Sequence, residues 1–168
     1  MIFTETKYQL QTVATGRVFE DEGWTLDDKE CPTPSMVRPI YEKKQLEVKE
    51  GACLGLYRYA DWLPIKTMLK KPTEPITYKS ESLAAKLGLR NLYITFNGWW
   101  PERNVHMTTC SFKEMEAYSV CARLGDDLKD QVLVVASAGN TARAFAKVCS
   151  DNNIKLLLCV PQDNIKAL

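Results

Sequence analysis

The chain has 168 residues, of which 45% are hydrophobic and 26% charged, and its formal net charge is +1. A balance of 22 basic and 21 acidic residues provides no field suited to nucleic acid or to an anionic membrane. No apolar run approaches the ~20 residues of a membrane-spanning helix, and the first residues do not resemble a signal peptide. We therefore expect a cytoplasmic protein with one domain, or one domain and a small appendage.

The six cysteines are scattered along the chain without a Cys-x-x-Cys pair. A disulfide framework or a four-ligand zinc site would require clustered spacings. We therefore expect reduced, mostly buried thiols and no metal ion.

Residues 1–50 are predicted to form a small β-rich appendage. Its expected strands carry β-branched or aromatic residues between glycine turn signals, and they are Tyr8–Gln11, Arg17–Glu20 and Trp24–Leu26. The segment Cys31-Pro32-Thr33-Pro34 should act as a stiff connector. Residues 51–168 would then form the main α/β unit.

The central part of the main unit is predicted to contain a helix from Ser80 to Leu87, ended by Gly88. A strand should follow at Leu92–Phe96, and then a loop from Trp99 to Thr108. Two side chains of this loop, Arg103 and His106, are candidates for contact with an anionic group. Solvated loop residues are the alternative.

A helix is predicted to begin within Thr109-Cys110-Ser111-Phe112-Lys113-Glu114. Ser111 and Glu114 have the spacing of a capping box, in which each side chain accepts the other residue's backbone N–H. Lys113 would lie in the first turn, a position that suits a lysine acting as an amine nucleophile or as a base. A solvated surface lysine is the alternative. The predicted apolar face comprises Phe112, Met115, Tyr118 and Ala122.

A strand–helix–strand unit is predicted near the carboxyl end. The strand Val132–Val135 should be buried, and Lys155–Val160 should be the next strand of a parallel sheet, joined by a right-handed crossover. The turn between the first strand and the helix Ala142–Ser150 contains Ser137, Gly139, Asn140 and Thr141. Its amides and polar side chains can form a carboxylate cradle, for which Gly139 would permit a tight turn or a positive φ. A well-capped turn without a ligand is the alternative.

Together the Ser-Phe-Lys and Ser-Ala-Gly-Asn-Thr segments resemble those of the pyridoxal-phosphate enzymes of fold type II, the group of tryptophan synthase β, cysteine synthase and threonine synthase. Within that group the chain most resembles the cysteate synthases, relatives of threonine synthase, from about residue 17 onward. The segments that carry this closer resemblance are Leu56–Pro64, Gly98–Glu102 and Thr109–Ala117. The resemblance implies a parallel sheet flanked by helices, a pyridoxal 5′-phosphate cofactor and a homo-oligomer.

The resemblance also implies the role of each site residue. Lys113 would bind the cofactor covalently and act as the base at Cα. Asn140 would bond the cofactor's 3′-oxygen, and Ser137, Gly139 and Thr141 would hold the substrate carboxylate. The implied reaction converts O-phospho-L-serine and sulfite to L-cysteate and phosphate, as in coenzyme M biosynthesis. Threonine synthase activity on O-phosphohomoserine is one alternative, and a non-catalytic fragment or subunit is another.

Two parts of the family's site have no counterpart in residues 1–168: a glycine-rich phosphate loop, and a Ser or Thr at the pyridine nitrogen. Family members are more than twice as long as this chain. We therefore expect the chain to correspond to the N-terminal portion of such an enzyme.

Overall fold

A computed structural model of the chain describes residues 4–23, 25–51, 54–125 and 130–167. These residues form small sheets and helices in an α/β arrangement. The strands, in chain order, are β1 (Tyr8–Thr12), β2 (Val18–Phe19), β3 (Val37–Tyr41), β4 (Ile76–Lys79), β5 (Tyr93–Phe96), β6 (Trp99–Trp100), β7 (Val105–His106), β8 (Leu133–Ala136) and β9 (Leu156–Cys159). The α-helices are α1 (Glu81–Leu87), α2 (Lys113–Leu124) and α3 (Asn140–Asn152). Segments of 3₁₀ helix span Gly55–Trp62, Pro101–Arg103 and Gln162–Ala167.

The appendage contains an antiparallel sheet with the order β2-β1-β3. The first two predicted strands are confirmed, whereas β3 was not predicted, because Pro39 at its centre is a residue that strands usually exclude. The third predicted strand, Trp24–Leu26, is wrong for Thr25 and Leu26, which adopt no strand, and Trp24 lies outside the described residues. A physical reason is that the Thr25 carbonyl accepts a 3.1 Å hydrogen bond from Arg123 Nη2 instead of a strand partner.

A buried polar cluster joins the appendage to the end of α2. Asp21 Oδ2 accepts hydrogen bonds from Tyr8 Oη at 2.5 Å and from Arg123 Nε at 2.9 Å. The Asp21 side chain is only 5% exposed. Burial alone would raise the pKa of Asp21, but the hydrogen bonds from Tyr8 and Arg123 lower it below its ordinary value. The ionised carboxylate therefore helps to hold the amino-terminal sheet against α2.

The predicted strand–helix–strand unit is confirmed by the parallel pairing of β8 with β9, which α3 connects. The expectation that these strands are buried is correct for only one of their faces. Leu133 is buried, whereas Val134 and Leu157 are 58% and 53% exposed. Side chains alternate between the two faces of a strand, and α3 covers the face that carries Leu133 and Leu156. The other face of the β8–β9 pair is apolar and open.

The main core lies between α2, α3 and the Gly55–Trp62 segment. Tyr57 and Tyr118 are fully buried at its centre, with their rings edge to face and 6.4 Å apart. Tyr57 Oη donates to the Tyr118 carbonyl and accepts from the Leu69 N–H. The Gly55–Trp62 segment therefore supplies core packing.

The cysteines only partly follow the expectation. Cys121 and Cys149 are buried between α2 and α3, Cys31 is half-buried, and Cys110 and Cys159 are exposed. Cys53 lies outside the described residues. Free thiols are confirmed for the described cysteines, but most of these are not buried.

The central segment follows the prediction with one correction. Helix α1 ends at Gly88, whose φ is 66°, so this glycine supplies the left-handed cap that was expected. The predicted loop Trp99–Thr108 instead contains the hairpin β6–β7, in which Trp99 pairs with His106. Trp100 stacks edge to face on Tyr78 and Phe96, and this packing explains why the segment is ordered into strands.

We predict that Asp21→Asn lowers the free energy of unfolding by about 2 kcal/mol at pH 7, because it weakens hydrogen bonds to a buried charge. The folded-state pKa of Asp21 is depressed, so its contribution is present above the unfolded pKa near ~3.9 and is lost as the pH falls through the folded pKa. The difference between variant and wild type should therefore shrink in acid. Urea unfolding at a series of pH values measures it. Exposed Asp27→Asn is the control, and a pH-independent difference for Asp21→Asn would contradict this account.

Candidate functional site

The start of α2 holds Lys113 by bonds other than the predicted capping box. Ser111 Oγ accepts from the Lys113 N–H at 3.3 Å, while the Glu114 N–H donates to the Ser111 carbonyl. Glu114 reaches past Ser111, and its Oε2 accepts from Thr109 N and Thr109 Oγ1 at 3.0 and 2.7 Å. The capping-box prediction is therefore wrong in its partners. The reason is the left-handed Cys110, with a φ of 51°, which folds the chain back so that Thr109 is the residue within reach.

Glu114 is also the buried charge of the α2–α3 interface. Its side chain is 0% exposed, and its Oε1 lies 3.6 Å from Lys147 Nζ of α3. Lys147 donates further to Asp151 Oδ2 at 2.8 Å and to Tyr118 Oη at 3.2 Å. Burial alone would lower the pKa of Lys147, but these hydrogen bonds and the charge of Glu114 raise it. The sequence showed Glu114 only as a helix-start residue, and nothing in the pattern connected it with Lys147.

Lys113 is the first residue of α2, and its side chain is 31% exposed. Its Nζ forms an ion pair with Glu116, one turn further along the helix, and lies 5.1 Å from the centre of the Phe112 ring. Phe112 itself is 57% exposed, which corrects its predicted place on the buried face. Met115, Tyr118 and Ala122 do pack against the core. The lysine and the phenyl ring therefore lie together on the accessible side of the helix start.

The second predicted segment forms the turn between β8 and α3. Ser137 Oγ accepts from the Gly139 N–H at 3.3 Å, and Ser137 N donates to the Cys159 carbonyl. Asn140 is the first residue of α3, and its Oδ1 accepts from Arg143 Nη2 at 2.6 Å. Thr141 is half-buried in the first turn. The first backbone N–H groups of a helix have no acceptor within the helix, so this turn directs donors at the space in front of α3.

The sequence predicted either a tight turn or a positive φ at Gly139, and the positive φ is not observed. Its φ is −131°, a value that other residues also adopt. A Cβ at this position would meet no atom within 4 Å. The backbone of the turn is therefore open to a neighbouring molecule, and the glycine is not required by the fold of the described residues.

The structure places the two predicted segments on neighbouring elements. Lys113 begins α2 and Asn140 begins α3, and these two helices pack against each other. Among the described residues, no hydrogen bond or ion pair joins Lys113 to the turn formed by residues 137–141. That both segments line one cleft stays a prediction. A cleft of about 490 Å³ lies elsewhere, between the amino-terminal segment and Gly55–Trp62.

Three side chains between Trp99 and Lys113 differ in their surroundings. Arg103 lies over the rings of Trp100 and Tyr78, at 5.1 and 5.9 Å, so its aromatic neighbours fix its position. His106 packs against Trp99 and lies 3.2 Å from Asn104 Oδ1. Cys110 is exposed.

The described ranges contain no group of three or more His, Cys, Asp or Glu side chains placed to hold a metal ion. No helix among the described residues is long and apolar enough to cross a membrane.

Comparison with known proteins gives a consistent group of relatives. A cysteate synthase of Methanoculleus marisnigri is 42% identical over 157 residues, which are 92% of this chain and 35% of the relative. A cysteate synthase of Methanococcoides burtonii is 46% identical over 140 residues, 82% of this chain and 33% of the relative. One of Methanothrix thermoacetophila is 49% identical over 112 residues, 66% of this chain and 27% of the relative. No family model and no solved structure matches the chain.

All three relatives are named as synthases. This chain is of α/β type and has a lysine and a Ser-Ala-Gly-Asn-Thr turn at two packed helix starts. By sequence the chain is homologous to cysteate synthases. It spans about a third of the length of the curated relatives it matches.

We predict that Gly139→Ala changes the free energy of unfolding by less than ~0.5 kcal/mol, because φ is negative there and space for a Cβ is open. Gly55→Ala is the matched control. Its φ is +51° and its Cβ would lie 2.6 Å from the Pro72 carbonyl carbon, so it should cost more than ~2 kcal/mol. Urea unfolding of both variants measures the difference. Similar losses of unfolding free energy for the two variants would show that the β8–α3 turn has no space for a Cβ at position 139.

Proposed function

We propose that this chain carries part of the pyridoxal 5′-phosphate site of a cysteate synthase, which converts O-phospho-L-serine and sulfite to L-cysteate and phosphate. The observation that supports the proposal most is positional. The lysine segment and the Ser-Ala-Gly-Asn-Thr segment each form the first turn of a helix, and the two helices pack together. Similarity to cysteate synthases over 92% of the chain favours this reaction over that of threonine synthase.

The residues at the two helix starts fit such a cofactor. Lys113 is partly exposed, Asn140 is exposed, and the space beside Gly139 is open. When bound, pyridoxal phosphate supplies the electron sink that stabilises negative charge at the Cα of an amino acid. We therefore assign Lys113 to hold the cofactor covalently and to move the proton at Cα.

The remaining assignments concern orientation. Asn140 would donate through Nδ2 to the 3′-oxygen of the cofactor, while its Oδ1 can keep accepting from Arg143. The turn residues Ser137, Gly139 and Thr141 would hold the substrate carboxylate with N–H and hydroxyl donors. The partners proposed for this site are thus small molecules, a phospho-amino acid and sulfite.

The β8–α3–β9 unit is proposed as part of the parallel sheet of fold type II. The exposed Val134 and Leu157 on the face away from α3 support a further layer on that side, as such sheets are covered on both faces. The same exposed face also favours a second candidate function, in which the chain is a non-catalytic subunit that pairs with another chain. A homo-oligomer stays a prediction in either case.

We predict that pyridoxal phosphate followed by borohydride modifies Lys113 in preference to other lysines, as measured by peptide mapping. Lys86 of α1, which is exposed, is the internal reference. Lys113→Ala should abolish the preferred adduct and the accompanying absorbance change without altering modification of Lys86. Equal modification of Lys113 and Lys86 would contradict the lysine assignment and favour the non-catalytic subunit.

A second measurement tests the reaction itself. We expect phosphate release from O-phospho-L-serine to require sulfite and to be lost in Lys113→Ala. Release from O-phosphohomoserine without sulfite would instead indicate threonine synthase activity. Since the chain spans about a third of its relatives, the same assay on one of those relatives provides the positive control.

A further inference from the structure

We propose that Glu114, Thr109 and Lys147 are positioning residues, which together fix the turn that carries Lys113 against helix α3. This inference rests on the proposed function of Lys113. None of the three side chains is assigned to touch the cofactor or the substrate. Their proposed effect passes through the backbone of residues 109–112 and through the α2–α3 interface.

Burial of the Glu114 carboxylate has a cost in free energy. Glu114 is completely buried, and its Oε1 accepts no hydrogen bond among the described residues. Removing such a charge from water costs several kcal/mol, and an apolar side chain would fill the same space without that cost. A carboxylate placed here therefore contributes something other than packing. Its contacts indicate what this is.

Glu114 also restrains the turn that precedes Lys113. Glu114 Oε2 accepts two hydrogen bonds from Thr109, one from the backbone N–H and one from the hydroxyl. Because Glu114 is the second residue of α2, these bonds close the turn Thr109–Phe112 onto the helix. Cys110 inside it adopts the uncommon left-handed conformation, with a φ of 51°. A residue in this region persists only where its surroundings hold it, and the Thr109–Glu114 bonds provide that restraint.

Lys147 connects Glu114 to helix α3. Lys147 of α3 lies 3.6 Å from Glu114 Oε1 and is itself held by Asp151 and Tyr118. Tyr118 Oη in turn donates to the Lys71 carbonyl. The turn that precedes Lys113 is thus connected through one carboxylate to the helix that begins with Asn140. This connection would set the separation of the two segments that the proposed site requires.

The test uses Thr109→Val, which removes the hydroxyl but keeps the size and the backbone N–H, with Thr109→Ser as the conservative rescue. In the borohydride experiment the ratio of cofactor adduct at Lys113 to that at Lys86 should fall at least about tenfold in Thr109→Val. In Thr109→Ser it should equal the wild-type ratio. Thr77→Val is the matched control, because the exposed Thr77 hydroxyl bonds to the Thr95 hydroxyl across the β4–β5 pair, away from Lys113. It should leave the ratio unchanged.

A second readout does not use the cofactor. Trinitrobenzenesulfonate, a general amine reagent, should modify Lys113 relative to Lys86 about threefold faster in Thr109→Val, because a loosened turn frees the amine. Because unfolding would also expose Lys113, both ratios are measured under conditions in which urea unfolding shows each variant to be fully folded. Lys147→Met should change both modification ratios in the same direction as Thr109→Val. Lys147→Arg, which keeps the charge, should change them less.

The outcomes separate the two proposals. If wild type is not captured at Lys113, the proposed function fails, and the reagent ratio alone decides the positioning role. If wild type is captured and Thr109→Val is captured equally, the positioning role is wrong. The positioning role is also wrong if Thr109→Val and Lys147→Met leave unchanged the ratio of trinitrobenzenesulfonate modification at Lys113 to that at Lys86.

Discussion

The interaction on which the rest of the structure depends is the contact of the buried Glu114 carboxylate with Lys147. A buried ion pair adds little net stability, because the loss of hydration offsets the attraction, but removing one partner leaves an uncompensated charge. The pair therefore restricts how α2 and α3 can pack more than it strengthens their packing. Tyr118, hydrogen-bonded to Lys147 and to the Lys71 carbonyl, extends this restriction to the preceding segment. The start of α2 is consequently fixed at its buried side and open at its exposed side.

Two other features of the fold also hold α2 and α3 in place. The Asp21–Arg123 pair anchors the appendage at the far end of α2, so that helix is held by polar contacts at both of its ends and by Tyr118 and Cys121 between them. The β8–β9 pair supports α3 from one face and leaves the other face apolar and exposed. Burial of that face by further structure would add roughly 25 cal/mol per Å². The β8–β9 pair thus has an apolar face that is not buried by the described residues.

The sequence predicted elements well where local signals agree, and poorly where distant residues decide. Gly88 predicted the end of α1 because a left-handed cap is a local requirement. The β8–α3–β9 unit followed from hydrophobic runs separated by a helical segment. In contrast, the partner of Glu114 depends on the conformation of Cys110, and the exposure of Val134 depends on which face α3 covers. The hairpin at Trp99–His106 depends on packing with Tyr78 and Phe96. None of these tertiary contacts can be predicted from the local sequence pattern.

The proposed site divides into groups that must stay in place and groups that must change partners. Lys113 pairs with Glu116 and Asn140 with Arg143, both by bonds within one turn of an accessible helix start. Exposed pairs of this kind contribute only about 0.5 kcal/mol each, so a cofactor can displace Glu116 from Lys113 at small cost. The contacts beneath them, from Glu114 to Thr109 and Lys147, are buried and costly to break. An amine that must exchange partners is thus carried on a turn that cannot easily move, and this combination is what covalent catalysis by a lysine requires.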